Sequence, residues 1–169
     1  VARVLVTGMS GAGKTTVLDA LRLRGFRTVD TDYGGWELPD GTWDEPRMSR
    51  LLDRYRDLIV SGTVENQVRF YHRFHHVVLL SAPLEVLLHR VTGRTNPYGR
   101  TPEQQAEIAH YVQTVEPLLR RGATIELDGR RRVSDLADTI EDLVREGHRS
   151  AANGALPTSY PPGPDRAPQ

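Results

Sequence analysis

Residues 4–16 read VLVTGMSGAGKTT. Val4, Leu5 and Val6 form a short apolar run of the kind buried inside a sheet. The run flows into glycines and ends in Lys14-Thr15-Thr16. The spacing Gly8-x4-Gly13-Lys14-Thr15 is that of a phosphate cradle. It sits between a predicted strand and a predicted helix, the context that motif requires. Its glycines let consecutive backbone N–H groups turn inward, and the helix start adds the positive end of a dipole. Lys14 is suited to balance charge on the β- and γ-phosphates of a nucleotide. The Thr15 hydroxyl is placed to ligate Mg²⁺. The candidate cofactor-binding residues here are Gly8, Ser10, Gly11, Ala12, Gly13, Lys14, Thr15 and Thr16. The alternative is a glycine-rich turn that binds nothing.

Composition singles out the same loop. Of 22 basic residues, Lys14 is the only lysine; the others are all arginine. A compact ammonium on a flexible stem fits beside phosphates where a planar guanidinium does not. The 169 residues, 38% of them apolar, suit one domain with one good core. Zero formal net charge argues against a nucleic-acid footprint. The absence of cysteine removes disulfides and thiolate metal sites. No apolar run approaches the roughly 20 residues that span a bilayer, and the first residues read as a strand rather than a signal peptide. The expectation is a cytoplasmic protein with no membrane or nucleic-acid partner, a monomer or homodimer.

Beyond the loop, Val17, Leu18 and Leu21 mark a helix that Gly25 ends. Phe26–Val29 reads as a second strand, ending in Asp30-Thr31-Asp32. A loop of turn formers with both tryptophans, Trp36 and Trp43, covers 33–44. A helix over 45–56, a strand Leu58–Val60 and a helical stretch Asn66–Phe74 follow. Val77–Leu80 is uniformly apolar, as strands of a doubly covered parallel sheet are. Pro83 opens another helix. The polar stretch around 92–101 reads as a surface loop. Thr101-Pro102-Glu103-Gln104 opens a helix with a capping box, and Pro117 should break it. Thr124–Leu127 is a fifth strand, and one more helix ends near 146. Residues 147–169, rich in Pro, Ala and Gly, read as a disordered tail. Five strands alternating with helices indicate an open α/β sheet with right-handed crossovers. Ligands bind such sheets at the carboxyl ends of strands, where Gly8, Asp30, Asp32, Ser61, Gly62 and Ser81 fall.

The glycine loop, the strand-end Asp-x-Asp, the arginine-bearing loop and the final strand–loop–helix together resemble the small P-loop kinases: shikimate kinase, gluconate kinase and the adenylate kinase group. The resemblance covers residues 1–146 and implies a P-loop NTPase three-layer sandwich. Its five-stranded parallel sheet would have the order 2-3-1-4-5, with helices on both faces. It further implies ATP and Mg²⁺ as cofactors, a lid over about 92–101, Asp30 in the magnesium shell through water, and Asp32 orienting or deprotonating an acceptor hydroxyl. On the residues alone, the two aspartates could instead cap a turn.

The stretch after the third strand departs from shikimate kinase. Ser61-Gly62-Thr63 stands where that family carries a glycine run. Gly62, Thr63, Glu65, Asn66, Gln67 and Arg69 could line an acceptor pocket with Asp32; Glu65 to Arg69 could equally be a solvated helix start. In the lid, Arg90 and Arg94 lie one helical turn apart and Arg100 across a Pro-Tyr-Gly turn. Arg94 is the candidate transition-state cation, Arg90 a nucleotide contact, and either could be ordinary surface arginine. Arg130, after the fifth strand, falls where the resemblance implies proximity to the adenine. His72 and His76 have a zinc-compatible spacing without the glutamate of a metalloprotease, and read as structural. The tryptophans read as anchors of the long loop.

The combined expectation is a small-molecule kinase with Lys14, Asp32 and Arg94 as catalytic groups. Its acceptor would be a hydroxyl on a metabolite, nucleoside or antibiotic. A nucleoside monophosphate kinase, or a nucleotide-binding regulator with weak ATPase activity, are the alternatives.

Overall fold

A computed structural model describes residues 2–94 and 97–152, with side chains as far as 146. The chain forms β1 (Arg3–Gly8), α1 (Lys14–Leu23), β2 (Thr28–Asp30), α2 (Glu45–Arg54), β3 (Leu58–Ser61), a 3₁₀ helix (Glu65–Arg73) and β4 (His76–Ser81). Then come α3 (Leu84–Gly93), α4 (Pro102–Thr114), α5 (Glu116–Gly122), β5 (Ile125–Asp128) and α6 (Val133–Ala152). The strands make one sheet in the order β2-β3-β1-β4-β5. Every pairing is parallel, so all carboxyl ends lie along one edge. This is the P-loop NTPase arrangement expected from the sequence.

Side-chain alternation explains the two layers of core. Val4 and Val6 face one side, packing with Val17, Leu18 and Leu21 of α1 and Ile140 and Val144 of α6. Leu5 faces the other side, with Val60, Val77, Met48 and Leu52 of α2, and Phe70 and Phe74. Burying each such side chain contributes about 1.5–3 kcal/mol, so both sheet faces need a helical cover.

Several boundaries differ from the sequence reading. The second strand starts later, at Thr28, and runs to Asp30. The helical stretch after β3 is a 3₁₀ helix. Pro117 does break its helix: α4 ends at Thr114 and α5 begins at Glu116. The capping box is present, with the Gln104 N–H donating to Thr101 Oγ1 at 3.1 Å. The last helix runs past Glu146 to Ala152, since a single glycine at 147 costs a helix only about 1 kcal/mol. The remainder of the expected tail, 153–169, and lid residues Thr95 and Asn96 lie outside the described residues.

Candidate active site

The phosphate loop runs from the end of β1 to the start of α1. Two close approaches fix its shape. A Cβ on Gly8 would stand 2.4 Å from the Leu80 carbonyl oxygen of the neighbouring strand. One on Gly11, which has φ +86°, would stand 2.7 Å from the Leu87 carbonyl oxygen. No side chain caps α1, and the first helical bond is Val17 N–H to the Gly13 carbonyl at 3.1 Å. The N–H groups of Gly13, Lys14, Thr15 and Thr16 are therefore the helix's unsatisfied first-turn donors. Lys14 Nζ donates to the Gly8 carbonyl at 2.5 Å and the Met9 carbonyl at 3.3 Å, which curls its stem over the loop. Burial pulls this ammonium below the usual lysine range, Asp32 and Asp30 work against that fall, and Arg94 adds to it.

The acid pair belongs to the same cluster. Thr15 Oγ1 donates to Asp30 Oδ2 at 2.7 Å, which joins the start of α1 to the end of β2. Asp30 Oδ1 accepts from the Asp32 N–H at 3.1 Å. Asp32 is pushed above the ordinary aspartate range by burial of its carboxyl; Lys14 opposes this, Asp30 adds to it, and Arg94 opposes it. The hydroxyl of Thr15 and the carboxylate of Asp30 form a hard oxygen pair beside the loop, a donor set that fits Mg²⁺. The four uncapped N–H groups and Lys14 fit a triphosphate.

Arg90 and Arg94 diverge. Arg90 lies within α3 and turns behind the loop, donating to the carbonyls of Gly11 and Ala12 at 3.3 Å and of Gly129 at 2.8 Å. It straps the phosphate loop to the β5–α6 connection. Arg94 lies beyond the helix end, where Nη2 donates to the Tyr98 carbonyl at 3.3 Å. Its Nε is buried with no partner among the described residues. Arg94 is thus near enough to act electrostatically on both Lys14 and Asp32. Arg100 donates to the Arg94 carbonyl at 2.5 Å, Tyr98 bonds Glu107, and the Gly99 N–H donates to Gln104 Oε1 at 2.9 Å. Together these contacts tie the turn at 97–100 to α4.

The remaining candidates are mostly occupied by scaffolding. A Cβ on Gly62 would meet Thr31 Oγ1 at 2.2 Å, so Gly62 is packed solid. Thr63 Oγ1 donates to the Gly8 carbonyl at 2.6 Å and bonds Thr7 Oγ1 at 3.1 Å, bracing the loop's entry. Asn66 clamps Trp43, accepting from its N–H at 2.9 Å and donating to its carbonyl at 3.1 Å. Arg69 pairs with Glu45 at 3.2 Å. Arg130 folds back onto Asp128 at 2.8 Å and is exposed. His75 accepts the Arg3 N–H on Nδ1 at 3.0 Å.

Two contributions, from Gly129 and Glu37, were missed in the sequence, and the pocket candidate Gln67 serves as scaffold. Gln67 is buried and joins Thr7 to Tyr71 at 3.1 and 2.9 Å. Gly129 leaves no room for a Cβ, which would stand 2.7 Å from the Ala12 carbonyl oxygen. Glu37 lies on the 33–44 loop within electrostatic reach of Asp32 and Asp30, and burial and those two charges push its carboxyl upward. A signal for Glu37 exists. Pro39-Asp40-Gly41 reads as a tight turn, so residues 36–38 and 42–44 should pair. They do: Glu37 bridges Trp43, and the Leu38 N–H donates to the Thr42 carbonyl at 2.7 Å.

A family described as AAA domain matches residues 4–110. The chain belongs to it. Among curated relatives of this AAA domain chain is a nucleotide-binding protein of Burkholderia ambifaria. It is 30% identical over 134 residues, covering 70% of this chain and 41% of that protein. The chain spans less than half the length of the curated relatives it matches. Among solved structures, shikimate kinase from Acinetobacter baumannii in complex with shikimate aligns with TM-score 0.64 and 22% identity, covering 87% of this chain and 94% of that one. A gluconokinase from Sinorhizobium meliloti aligns with TM-score 0.58 and 15% identity, covering 92% and 98%. The AAA domain chain therefore has the fold of the small P-loop kinases.

Proposed function

We propose that this protein transfers the γ-phosphoryl group of ATP to a hydroxyl of a small molecule. The observation that carries the reading is the joining of Asp30 to Thr15 of the phosphate loop, with Lys14, Asp32 and Arg94 in one electrostatic cluster. ATP would supply the phosphoryl group, and Mg²⁺ held by Thr15 and Asp30 would neutralise part of its charge. The N–H groups of 13–16 and Lys14 hold the triphosphate. Asp32 orients the acceptor hydroxyl and takes its proton as the new O–P bond forms and ADP leaves. Burial makes its carboxylate a stronger base than an open aspartate, which suits that work near neutral pH. Arg94 stabilises charge on the group in flight, and its buried Nε has no hydrogen-bond partner among the described residues. Arg90 serves the site by holding the loop's curvature.

The nucleotide-binding names of the relatives favour a second reading, a nucleotide-dependent regulator without an acceptor. Purified protein with ATP and Mg²⁺ separates the two. Little ADP release alone and a large rise with one acceptor supports the kinase. Tight nucleotide binding with no rise on any acceptor supports the regulator.

A further inference from the structure

The face of the cleft opposite the phosphate loop carries its own charge pattern, and that pattern selects among acceptors. Asp30 and Asp32 stand at the end of β2, and the hairpin of the 33–44 loop, in which Glu37 pairs with the Trp43 that is anchored on Thr31, holds Glu37 within electrostatic reach of both. The hairpin is held rigidly. Trp43 is fully buried and its Nε1 donates to Thr31 Oγ1 at 3.0 Å, while Asn66 clamps its backbone from below. Glu37 makes no hydrogen bond or ion pair among the described residues.

Cations that frame this face are committed elsewhere. Arg47 stacks on the Trp36 ring, 3.8 Å from its centroid, and donates to the carbonyls of Gly34 and Gly35 at 2.9 and 2.8 Å. Arg69 is paired with Glu45. Lys14 and Arg94 lie on the phosphate side, where a triphosphate's own charge would engage them. An acceptor carrying a carboxylate or phosphate beside its hydroxyl would meet the like charge of Glu37 and find no unengaged guanidinium in these contacts. Specificity of this kind comes from repulsion as much as attraction.

Resting on the phosphoryl-transfer reading, we infer that the site takes a non-anionic acceptor, a polyol or amino sugar whose hydroxyl or ammonium donors face Glu37, and rejects acidic ones. The phosphate loop defines the site; the acids decide what enters from the other side.

The test is a charge-sorted library of hydroxyl compounds containing the matched set D-glucose, D-glucosamine and D-gluconate, with shikimate added. It is read as acceptor-dependent ADP release by the full chain with ATP and Mg²⁺, and nucleotide binding is measured in parallel by calorimetry. Turnover confined to neutral and amine-bearing acceptors, with acidic ones at least about tenfold lower in kcat/KM, supports the inference. Glu37→Lys should then narrow or reverse that ratio while leaving ATP affinity unchanged. Gluconate, shikimate or another acid outranking its neutral counterparts would overturn the inference and leave the kinase reading standing. Bound ATP with no stimulation anywhere in the library would overturn the kinase reading, and this inference with it.

Discussion

On the phosphate side of the cleft, one unbroken stretch from Gly8 to Thr16 supplies the glycines, the N–H donors, the ammonium and the hydroxyl. On the proposed acceptor side, the groups come from three separate places: Asp30 and Asp32 at the end of β2, Glu37 on a hairpin, and Thr63 to Arg69 after β3. The first side works through backbone held by close approach, such as Gly8 against the Leu80 carbonyl. The second works through side chains held by other side chains, such as Asn66 on Trp43. A local backbone device can be moved between proteins with its short sequence. A device of scattered side chains is rebuilt in each, and so is where specificity resides.

The largest effects should come from the phosphate side. Lys14→Ala and Arg94→Ala should each lower kcat by about 10³-fold or more, since each removes a charge from the transferring group. Single-turnover kinetics check this. If Arg94→Ala lost only nucleotide affinity, its place in the comparison would shift from reaction to binding.

Asp32→Asn probes the junction of the two sides. It should lower kcat by about 10²–10⁴-fold and leave ATP affinity nearly intact. The same change should raise the melting temperature of the nucleotide-free protein. Asp32 titrates higher folded than unfolded, so its ionised form opposes folding at neutral pH, and that opposition fades as pH falls through the raised value. For the same reason the acid limb of kcat/KM in the wild type should lie above the ordinary aspartate range and vanish in Asp32→Asn. A stability gain paired with an activity loss is the mark of a functional carboxylate.

Packing on the acceptor side should give intermediate effects. Gly62→Ala should destabilise by about 1–3 kcal/mol, because its methyl would meet Thr31 Oγ1 beneath Trp43. Asn66→Ala should cost about 1–2 kcal/mol in chemical denaturation and raise the acceptor KM by loosening the hairpin. The smallest effect belongs to Arg130→Ala. Its exposed pairing with Asp128 predicts an unchanged melting temperature and a nucleotide Kd within about twofold.

The same contrast explains what could be read from the sequence. The strands and the phosphate loop were legible because each rests on consecutive residues, uniform apolar runs for the strands and one glycine spacing for the loop; the strand order came only with the resemblance to the small P-loop kinases. The 3₁₀ helix was not, because Phe70 and Phe74 at i,i+4 mark a buried face without fixing which helical form carries it. Arg90 and Arg94 stand four residues apart, but α3 ends at Gly93, so the second leaves the helix and points elsewhere, which the spacing alone does not reveal. Gln67 gains its meaning from Thr7, a partner distant in sequence that no local pattern reveals, whereas the turn at 39–41 signals the hairpin that carries Glu37.

The central claim is that one loop holds a nucleotide's terminal phosphoryl group against the acid pair at the end of β2. A crystal structure with a non-hydrolysable ATP analogue and Mg²⁺ tests it most directly. The account predicts the γ-phosphate between Lys14 and Arg94, with Thr15 and Asp30 on the metal side and Asp32 within about one small-molecule hydroxyl of the phosphorus. A γ-phosphate directed away from Asp30 and Asp32 would contradict it.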